Sequence, residues 1–303
     1  MGITLGNFIA KKTADLINEV DAIVLGQCLT AVGWVAGTVP SWVNKKNIVE
    51  LSMADVANGG IAVGAALNQN KPVIYVVRYQ GFLWYNAISI VNYAAKSKEM
   101  FDIGCPLLVR AIAMEGAIGP VAGNSQHSLV LRMPGINVFE PMTVNEWEFS
   151  WDYHHSQRDL PTIIFEHRLS YNNEEEFSNI LRDKSRLTIV SISAARLAMV
   201  ESTQKLDAEN YQCDYFHLFK LSPLVWPEDL INSVKETKKL LILDSDYDDF
   251  GIAESLAFKF SKLVECETFV MGLKRKSAGF SRITDNLTPN ADMIVSKVKE
   301  ILG

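Results

Sequence analysis

The feature that most constrains the fold is a helical stretch at 56–67 that contains no charged residue. It lies between two β-branched runs, at 47–50 and 72–77, so the pattern predicts a strand, a tight turn, a helix and a second strand. Because a surface helix shows a polar face, we expect this helix to be buried on nearly all sides. Its three glycines each cost about 1 kcal/mol of helix propensity relative to alanine, and they predict the close approach of another backbone or a ligand. These glycines are Gly59, Gly60 and Gly64.

One acid, Asp55, stands in the first turn of this helix. An acid at the mouth of a buried helix must be hydrogen-bonded or paired. It either caps the helix, where its negative charge suits the helix dipole, or it takes part in a functional site. The stretch by itself leaves both interpretations open.

Short apolar runs alternate with helical patterns along the chain, from a helix at 4–19 to a helix at 291–302. This alternation predicts an α/β protein whose strands form mostly parallel sheets with helices on both faces. A polar segment at 172–185 interrupts the alternation, and we expect a domain boundary there. The sequence therefore predicts two doubly wound domains, at 1–175 and 186–303.

The composition favours a cytoplasmic globular protein and argues against two classes of partner. The 303 residues are 48% hydrophobic and carry a formal net charge of −6 with no basic block, so we expect no nucleic-acid partner. No apolar run reaches the roughly 20 residues that span a bilayer, so we expect no membrane insertion. The first residues lack the basic region of a secretory signal. The four cysteines form no Cys-x-x-Cys pair, which is typical of reduced cytoplasmic proteins.

Common catalytic motifs are missing from the sequence. There is no Gly-x-Ser-x-Gly, no His-Glu-x-x-His and no Walker loop. The glycines at 59–64 lack Gly-x-Gly-x-x-Gly spacing and lie inside the helix, so nicotinamide binding is unsupported. His154 and His155 are adjacent without a carboxylate at ligand spacing, so we expect them on the surface and expect no metal site.

Three further features fall at predicted strand ends, as Asp55 does. Phe82 and the pair Glu166-His167 each follow a strand, and His127 lies in a glycine-rich loop after another strand. The carboxyl ends of parallel strands share one edge of a sheet, where ligands bind. Each residue also has a structural interpretation, with Phe82 in the core, His127 hydrogen-bonded within its loop and His167 supporting the fold. Their joint placement favours a ligand site.

An ordered set of short motifs resembles a known enzyme family. From about residue 20 to the C-terminus, the motifs have the order found in the beta subunit of thiamine-diphosphate-dependent 2-oxo acid dehydrogenases, itself similar to the C-terminal two-thirds of transketolase. The matching segments are Ala-Asp-Val-Ala-Asn-Gly-Gly-Ile-Ala-Val-Gly-Ala-Ala at 54–66, Ile-Val-Asn-Tyr-Ala-Ala-Lys at 90–96, Gln-His-Ser at 126–128, Met-Pro-Gly-Ile at 133–136, Phe-Glu-His-Arg-Leu-Ser-Tyr at 165–171, Leu-Ser-Pro-Leu at 221–224 and Phe-Gly at 250–251. The resemblance implies a transketolase-like pyrimidine-binding domain at 1–175 and a transketolase C-terminal-like domain at 186–303.

The resemblance implies that thiamine diphosphate is the cofactor, and it gives roles to individual residues. By register, Asp55 holds the place of the carboxylate that contacts the pyrimidine ring and favours its imino tautomer. Phe82 matches the aromatic residue that packs on the pyrimidine, and Gln27 stands where the family usually has a second glutamate near the cofactor. His127 matches the substrate-side histidine that assists proton transfer. Further substrate-side candidates are Gln126 and His167.

Several residues depart from the family pattern. Asp55 is one methylene shorter than the family's glutamate, and placement errors near 1 Å cost about a hundredfold in rate. The segment between His127 and Met133 is shorter than in the dehydrogenases. His217 and Phe219 replace an aspartate and an arginine. These departures favour a substrate that differs from that of an ordinary pyruvate enzyme.

The resemblance also predicts a partner chain. The superfamily's diphosphate–Mg²⁺ motif, Gly-Asp-Gly followed by an asparagine, is missing from the sequence. We therefore expect a separate alpha-type subunit that holds most of the Mg²⁺ and diphosphate, in an α₂β₂ assembly with the site at the interface between subunits.

Three functions fit this resemblance. The first is cleavage next to a carbonyl of a 2-oxo acid or a ketose, with transfer of an acyl or ketol unit. The second is a split transketolase that moves a two-carbon ketol unit between sugars, for which Arg110, Arg132 and Arg168 could bind a sugar phosphate. The third is a non-catalytic scaffold subunit in which Asp55 is only a helix cap.

Overall fold

The computed structural model describes residues 2–31, 35–40, 43, 45–114, 118–119, 121–277, 279–281 and 286–303, which cluster into two compact units. The first unit comprises Met1–Met114, Leu129–Glu176 and Lys220–Pro223, and the second comprises Glu115–Ser128, Phe177–Phe219 and Leu224–Gly303. Each unit is therefore assembled from separate chain segments. The contiguous domains at 1–175 and 186–303 stay a prediction.

The strands are short in both units. Among the described residues they are β1 (Ile23–Gly26), β2 (Ile48–Glu50), β3 (Val73–Val77), β4 (Leu107–Ala113), β5 (Asn137–Phe139), β6 (Thr162–His167), β7 (Leu187–Ile192), β8 (Cys213–Leu218), β9 (Lys220–Ser222), β10 (Lys239–Tyr247) and β11 (Glu267–Leu273).

Helices connect most of these strands. Among the described residues the α-helices are α1 (Leu5–Val20), α2 (Asp55–Leu67), α3 (Leu83–Asn92), α4 (Ser97–Phe101), α5 (Ser128–Leu131), α6 (Val144–Ser156), α7 (Ala195–Ala208), α8 (Glu228–Thr237), α9 (Ile252–Leu263) and α10 (Ala291–Leu302). Short 3₁₀ turns lie at Lys45–Asn47, Gln80–Phe82, Ala94–Lys96 and Arg168–Ser170.

The first unit is built on a sheet with the strand order β2-β1-β3-β4-β6-β5-β9. All neighbouring strands are parallel except β9, which runs antiparallel to β5. Strands β3, β4 and β6 are buried along their whole length, as expected for continuous apolar runs in a parallel sheet. The sequence pattern missed β9, whose residues are Lys-Leu-Ser, because only one of the three is apolar.

The second unit contains a fully parallel sheet with the strand order β11-β10-β7-β8. Apolar side chains of β7, β8 and β10 pack with those of α7 and α10 into one buried cluster, which includes Ile189, Tyr215, Leu241, Met199 and Ile294. Together the two sheets confirm the predicted α/β class of mostly parallel sheets with flanking helices.

Helix α2 is only half buried, so the prediction that it is covered on nearly all sides is wrong for the chain on its own. Ala62 and Val63 are buried, but Val56 is 61% exposed and Ile61 is 49% exposed. Gly60 also lies on the exposed face. A charge-free helix satisfies the same sequence pattern whether its own chain or another molecule covers its second face.

The close approach predicted for the glycines occurs at Gly59. A Cβ atom added there would lie 3.0 Å from the Asn86 Cβ and 3.1 Å from the Asn86 Cα, at the contact between α2 and α3. A Cβ at Gly60 would meet the Ser89 hydroxyl at an ordinary 3.7 Å, and one at Gly64 would meet nothing within 4 Å. Gly59 is thus the glycine of this helix that the packing of α3 requires.

Candidate active site

Asp55 is the first residue of α2, but it does not cap the helix. Ala54 occupies the N-cap position, and no side chain there bonds to the first-turn N–H groups. Instead, the Asp55 Oδ1 accepts a hydrogen bond of 2.9 Å from the Gln27 Nε2. The interpretation of Asp55 as a side-chain helix cap is therefore wrong.

Gln27 directly follows β1 and is buried beside Asp55. Its Nε2 is used by Asp55, whereas its Oε1 has no hydrogen-bond partner among the described residues. A buried amide oxygen without a donor costs free energy. The Asp55–Gln27 pair therefore offers both a carboxylate oxygen and an amide oxygen to a ligand with N–H donors.

A small cleft that is partly open to solvent lies beside this pair. Its walls are formed by Gln27, Asp55, Tyr75, Val76, Val77, Arg78 and Phe82. The cleft lies at the carboxyl ends of β1 and β3, which are adjacent parallel strands. This is the edge of an α/β sheet where ligands generally bind.

Tyr75 contributes a neutral hydroxyl to this region. The Tyr75 hydroxyl donates to the Asn86 Oδ1 at 2.9 Å, and the Asn86 Nδ2 donates to the Phe82 carbonyl oxygen at 2.9 Å. Burial, reinforced by the negative charge of Asp55, raises the pKa of Tyr75 above its ordinary value. Tyr75 therefore keeps its proton at physiological pH, and Asn86 links it to the backbone that carries Phe82.

Arg78 is a residue of the cleft that the sequence analysis missed. It is buried directly after β3, with its guanidinium carbon 4.9 Å from the centroid of the Phe82 ring. Its Nη1 lies 3.0 Å from the Cys28 Sγ. A cation stacked on an aromatic face fixes the plane of the ring. The sequence signal was a lone arginine after five apolar strand residues, which ordinarily indicates only the end of a strand.

Arg110 is fully buried in an ion pair within the first unit. Its Nε donates to the Glu166 Oε1 at 2.6 Å and its Nη2 donates to the Glu166 Oε2 at 2.9 Å. The Tyr171 hydroxyl also donates to the Glu166 Oε2, at 2.7 Å. Arg110 is therefore part of the core and cannot bind a sugar phosphate, which corrects the expectation that it was available. The sequence pattern predicts that Glu166 and His167 follow the strand, but they are the last two residues of β6.

His127 belongs to the second unit. Its Nε2 lies 3.1 Å from the Asp244 Oδ1 and 3.2 Å from the Asp244 Oδ2, and both side chains are fully buried. Gln126 is half-buried in the same segment. Asp244 could not be identified from the sequence, because a strand pattern does not show which loop a strand residue contacts.

The structure thus brings Gln27, Asp55 and Phe82 around one cleft in the first unit. His167 is in the same unit, buried at the end of β6, where its Nδ1 accepts a hydrogen bond of 3.4 Å from the Leu169 N–H. His127 pairs with Asp244 in the second unit. The roles of all these residues stay predictions.

The histidine pair on α6 differs from its prediction. His155 is exposed, but His154 is 3% exposed, so its expected place on the surface is wrong. Burial, with smaller contributions from His155 and Arg158, lowers the pKa of His154 to about 3. Within the described ranges, no three His, Cys, Asp or Glu side chains are arranged to hold a metal ion. No helix in the same ranges has the length and apolarity needed to cross a membrane.

Comparison with known proteins identifies relatives of this chain. The family described as "Transketolase, pyrimidine binding domain" matches residues 2–174. The beta subunit of the pyruvate dehydrogenase E1 component of Rickettsia conorii is 25% identical over 230 residues, which are 70% of this chain and 68% of that protein. The mitochondrial human protein of the same name is 23% identical over 285 residues, which cover 85% of this chain and 78% of the relative.

The fold also has a counterpart among solved structures. A chain described as "Split gene transketolase, inactive beta4 tetramer" superposes with a TM-score of 0.72. The match covers 100% of this chain and 99% of that one at 17% sequence identity. At this identity the likeness concerns the fold.

Proposed function

The chain belongs to the family of transketolase pyrimidine-binding domains, and we propose that it is the pyrimidine-binding subunit of a two-chain enzyme that depends on thiamine diphosphate. The proposed enzyme is cytoplasmic, and it cleaves a bond next to the carbonyl of a 2-oxo acid or a ketose and transfers the acyl or ketol unit. The observation that carries this proposal is the Asp55–Gln27 pair facing a cleft that Phe82 also lines.

The residues of the cleft fit an aminopyrimidine ring. Such a ring is flat, has two apolar faces and carries nitrogen atoms at its edge. The aromatic side chain of Phe82 suits a face, and the Asp55 carboxylate suits a protonated ring nitrogen. The unpartnered Gln27 Oε1 adds a buried acceptor for an N–H group. Bound thiamine diphosphate supplies the carbanion stabilisation that no side chain provides.

Asp55 has the central task in this proposal. It would accept a hydrogen bond from an N–H of the pyrimidine ring and so favour the ring form that carries a proton there. Gln27 donates to the Asp55 Oδ1, which leaves the Oδ2 for the ring. Because the Gln27 amide is neutral and does not exchange protons at physiological pH, it holds the Asp55 carboxylate in place without taking part in proton transfer.

Arg78 and Asn86 support the aromatic side of the cleft. The Arg78 guanidinium stacks on Phe82, and Asn86 binds the Phe82 carbonyl. Both contacts limit the motion of the ring before any ligand arrives, which lowers the entropy cost of binding. In the second unit, His127 is proposed to move a proton on the substrate.

The exposed face of α2 supports the proposed partner chain, an alpha-type subunit in an α₂β₂ assembly that holds most of the Mg²⁺. Val56 and Ile61 on α2 are exposed, and so are Tyr85 and Ile88 on the adjacent α3. Contiguous exposed apolar side chains are typical of protein–protein interfaces. Ile61→Asp should abolish assembly with the alpha-type subunit while the isolated chain stays folded. The matched control is Val200→Asp, a partly exposed position on α7 of the second unit.

Among reactions, the burial of Arg110 favours a 2-oxo acid over a sugar phosphate. A transketolase site needs several basic groups for the phosphate, and Arg110 is occupied by Glu166. The relatives named as pyruvate dehydrogenase subunits support the same choice. Split transketolase activity remains the alternative, and a substrate screen with the assembled enzyme separates the two. Release of carbon dioxide from a 2-oxo acid supports the first, and two-carbon transfer from a ketose supports the second.

The test of the proposed site uses Asp55 variants in the assembled two-chain protein. Asp55→Ala should lower activity at least a hundredfold, because the ring nitrogen loses its acceptor. The matched control is Asp292→Ala, since Asp292 also lies in the first turn of a helix but is exposed on α10. Full activity of Asp55→Ala in the assembly would refute a catalytic role and would support the scaffold alternative.

A further inference from the structure

The end of β10 holds the segment that carries His127 through a series of side-chain contacts. These contacts pair Asn124 Nδ2 with the Tyr247 hydroxyl (3.2 Å), Ser125 Oγ with Ser245 Oγ (2.8 Å), His127 Nε2 with the Asp244 carboxylate (3.1 Å to Oδ1) and the Ser128 N–H with Asp246 Oδ2 (2.9 Å). The Ser128 Oγ in turn accepts from the Ile252 N–H at 2.9 Å. The segment and the strand end are therefore fixed to each other at four successive strand positions.

Two carboxylates on this strand do different work. Asp246 binds backbone groups, because its Oδ2 accepts from the Ser128 N–H and its Oδ1 accepts from the Tyr247 N–H at 2.7 Å. Asp244 binds the imidazole of His127, and its Oδ1 also accepts from the Asp246 N–H at 3.2 Å. The backbone contact fixes the orientation of the Asp244 carboxylate toward the ring.

The position of Asp244 favours one tautomer of the imidazole. A carboxylate accepts hydrogen bonds, so the carboxylate beside the His127 Nε2 favours a hydrogen on that nitrogen. A neutral imidazole has one N–H, and the proton on Nε2 leaves Nδ1 as the basic nitrogen. Both side chains are fully buried, and buried polar groups are retained where they are hydrogen-bonded, so we expect the contact between Asp244 and His127 to persist.

We propose that Asp244 is a positioning residue that keeps the proton of His127 on Nε2 and orients the ring, so that His127 exchanges protons with the substrate through Nδ1. This inference rests on the proposed function, in which His127 acts on the substrate. When the imidazolium form of His127 donates its Nδ1 proton to the carbonyl oxygen of the substrate, Nδ1 keeps the electron pair of that N–H bond and the ring returns to the neutral Nε2–H form. Asp244 stays ionised and stabilises the imidazolium, as the carboxylate of a catalytic triad does.

The first test measures the tautomer of His127 in the full chain without cofactor. Nitrogen-15 NMR of histidine-labelled protein reports which ring nitrogen carries the proton, and His127→Gln assigns the signal among the five histidines. We expect a protonated Nε2 in the natural chain, a shift toward the Nδ1–H tautomer in Asp244→Asn and no change in Asp246→Asn. A proton on Nδ1 in the natural chain would overturn the proposal even if no variant folds.

The second test measures turnover of the assembled enzyme. Asp244→Asn should lower kcat about a hundredfold with KM within about threefold, because the ring keeps its place but carries its proton on the wrong nitrogen. Asp244→Glu, which restores an acceptor, should recover at least tenfold of that loss. Equal kcat values for Asp244→Asn and the natural enzyme would refute the positioning role.

The two tests separate failure of this inference from failure of the proposed function. The tautomer is read without thiamine diphosphate, so an inactive assembly leaves the NMR result meaningful. If the assembly is active but the nitrogen-15 signal of His127 is the same in Asp244→Asn as in the natural chain, the inference is refuted and the proposed function stands.

Discussion

Replacing Gly59 by alanine tests the packing that supports the cofactor cleft. The added methyl group would lie 3.0 Å from the Asn86 Cβ and 3.0 Å from its Oδ1, closer than side chains normally approach. Asn86 cannot withdraw freely, because it binds both the Tyr75 hydroxyl and the Phe82 carbonyl. We therefore expect Gly59→Ala to push α3 away from α2 and to displace Phe82.

The magnitude follows from two opposing terms. Alanine gains about 1 kcal/mol of helix propensity over glycine in a helix interior. Overpacking by one methyl group costs about 1–3 kcal/mol, so Gly59→Ala should range from neutral to about 2 kcal/mol less stable. Gly64→Ala in the same helix meets nothing within 4 Å and should be more stable by up to about 1 kcal/mol. The difference between the two variants isolates the steric cost at Gly59.

Urea unfolding of the chain, followed by tryptophan fluorescence, measures both variants. The signal reports mainly on the first unit, where Trp84, Trp147 and Trp151 lie. A lower midpoint for Gly59→Ala and a higher one for Gly64→Ala would support the reasoning. If Gly59→Ala stabilised the chain as much as Gly64→Ala does, the close contact between α2 and α3 would be refuted.

Three other perturbations have expected outcomes. The pKa of His154 is about 3 in the fold and 6.5 as a free imidazole, so between pH 7 and 5 the unfolded chain binds a proton that the folded chain does not. Lowering the pH from 7 to 5 should therefore reduce the free energy of unfolding by about 2 kcal/mol. The His154→Leu variant should not show this loss. Glu166→Gln leaves Arg110 buried without its counter-charge and should cost about 3–5 kcal/mol in urea unfolding. Gln27→Glu brings a second carboxylate beside Asp55, and the two carboxylates should share one proton. Rising pH removes that proton, so the cofactor affinity of the assembly, measured by calorimetry, should fall as the pH rises.

Each of these outcomes has a matched comparison. An equal slope of stability against pH in His154→Leu and the natural chain would contradict the first. Glu201→Gln changes an exposed carboxylate on α7 and should cost less than about 0.5 kcal/mol, so an equal cost for Glu166→Gln would contradict the second. Gln27→Leu carries no proton, so its cofactor affinity should not acquire the pH dependence expected of Gln27→Glu.

The sequence predicted the fold class because apolar runs and helical periodicity are local signals. The alternation of strands with helices is confirmed in both sheets. Strand β9 escaped detection because its Lys-Leu-Ser sequence contains a single apolar residue, which gives no local strand signal. The burial of α2 was misjudged because an apolar sequence does not distinguish a helix face covered by its own chain from a face left exposed for another molecule.

Part of the candidate site could also be predicted from the sequence, because some of its residues follow local strand and turn patterns. Asp55 and Phe82 follow strand or turn signals, so their nearness at one sheet edge could be inferred. The contacts of Arg78 with Phe82 and of Asp244 with His127 depend on long-range packing that periodicity cannot report. His154 was misplaced because adjacent polar residues on a helix look exposed unless the packing of that helix is known.

The most direct test of the central claim is calorimetric titration of thiamine diphosphate with Mg²⁺. One titration uses this chain alone, and the other uses the chain co-expressed with the product of the adjacent reading frame as the candidate alpha-type subunit. We predict tight binding to the two-chain assembly and none to the single chain, since the chain supplies the pyrimidine side of the site only. Tight binding by the chain alone, or no binding by an assembled pair, would contradict the account.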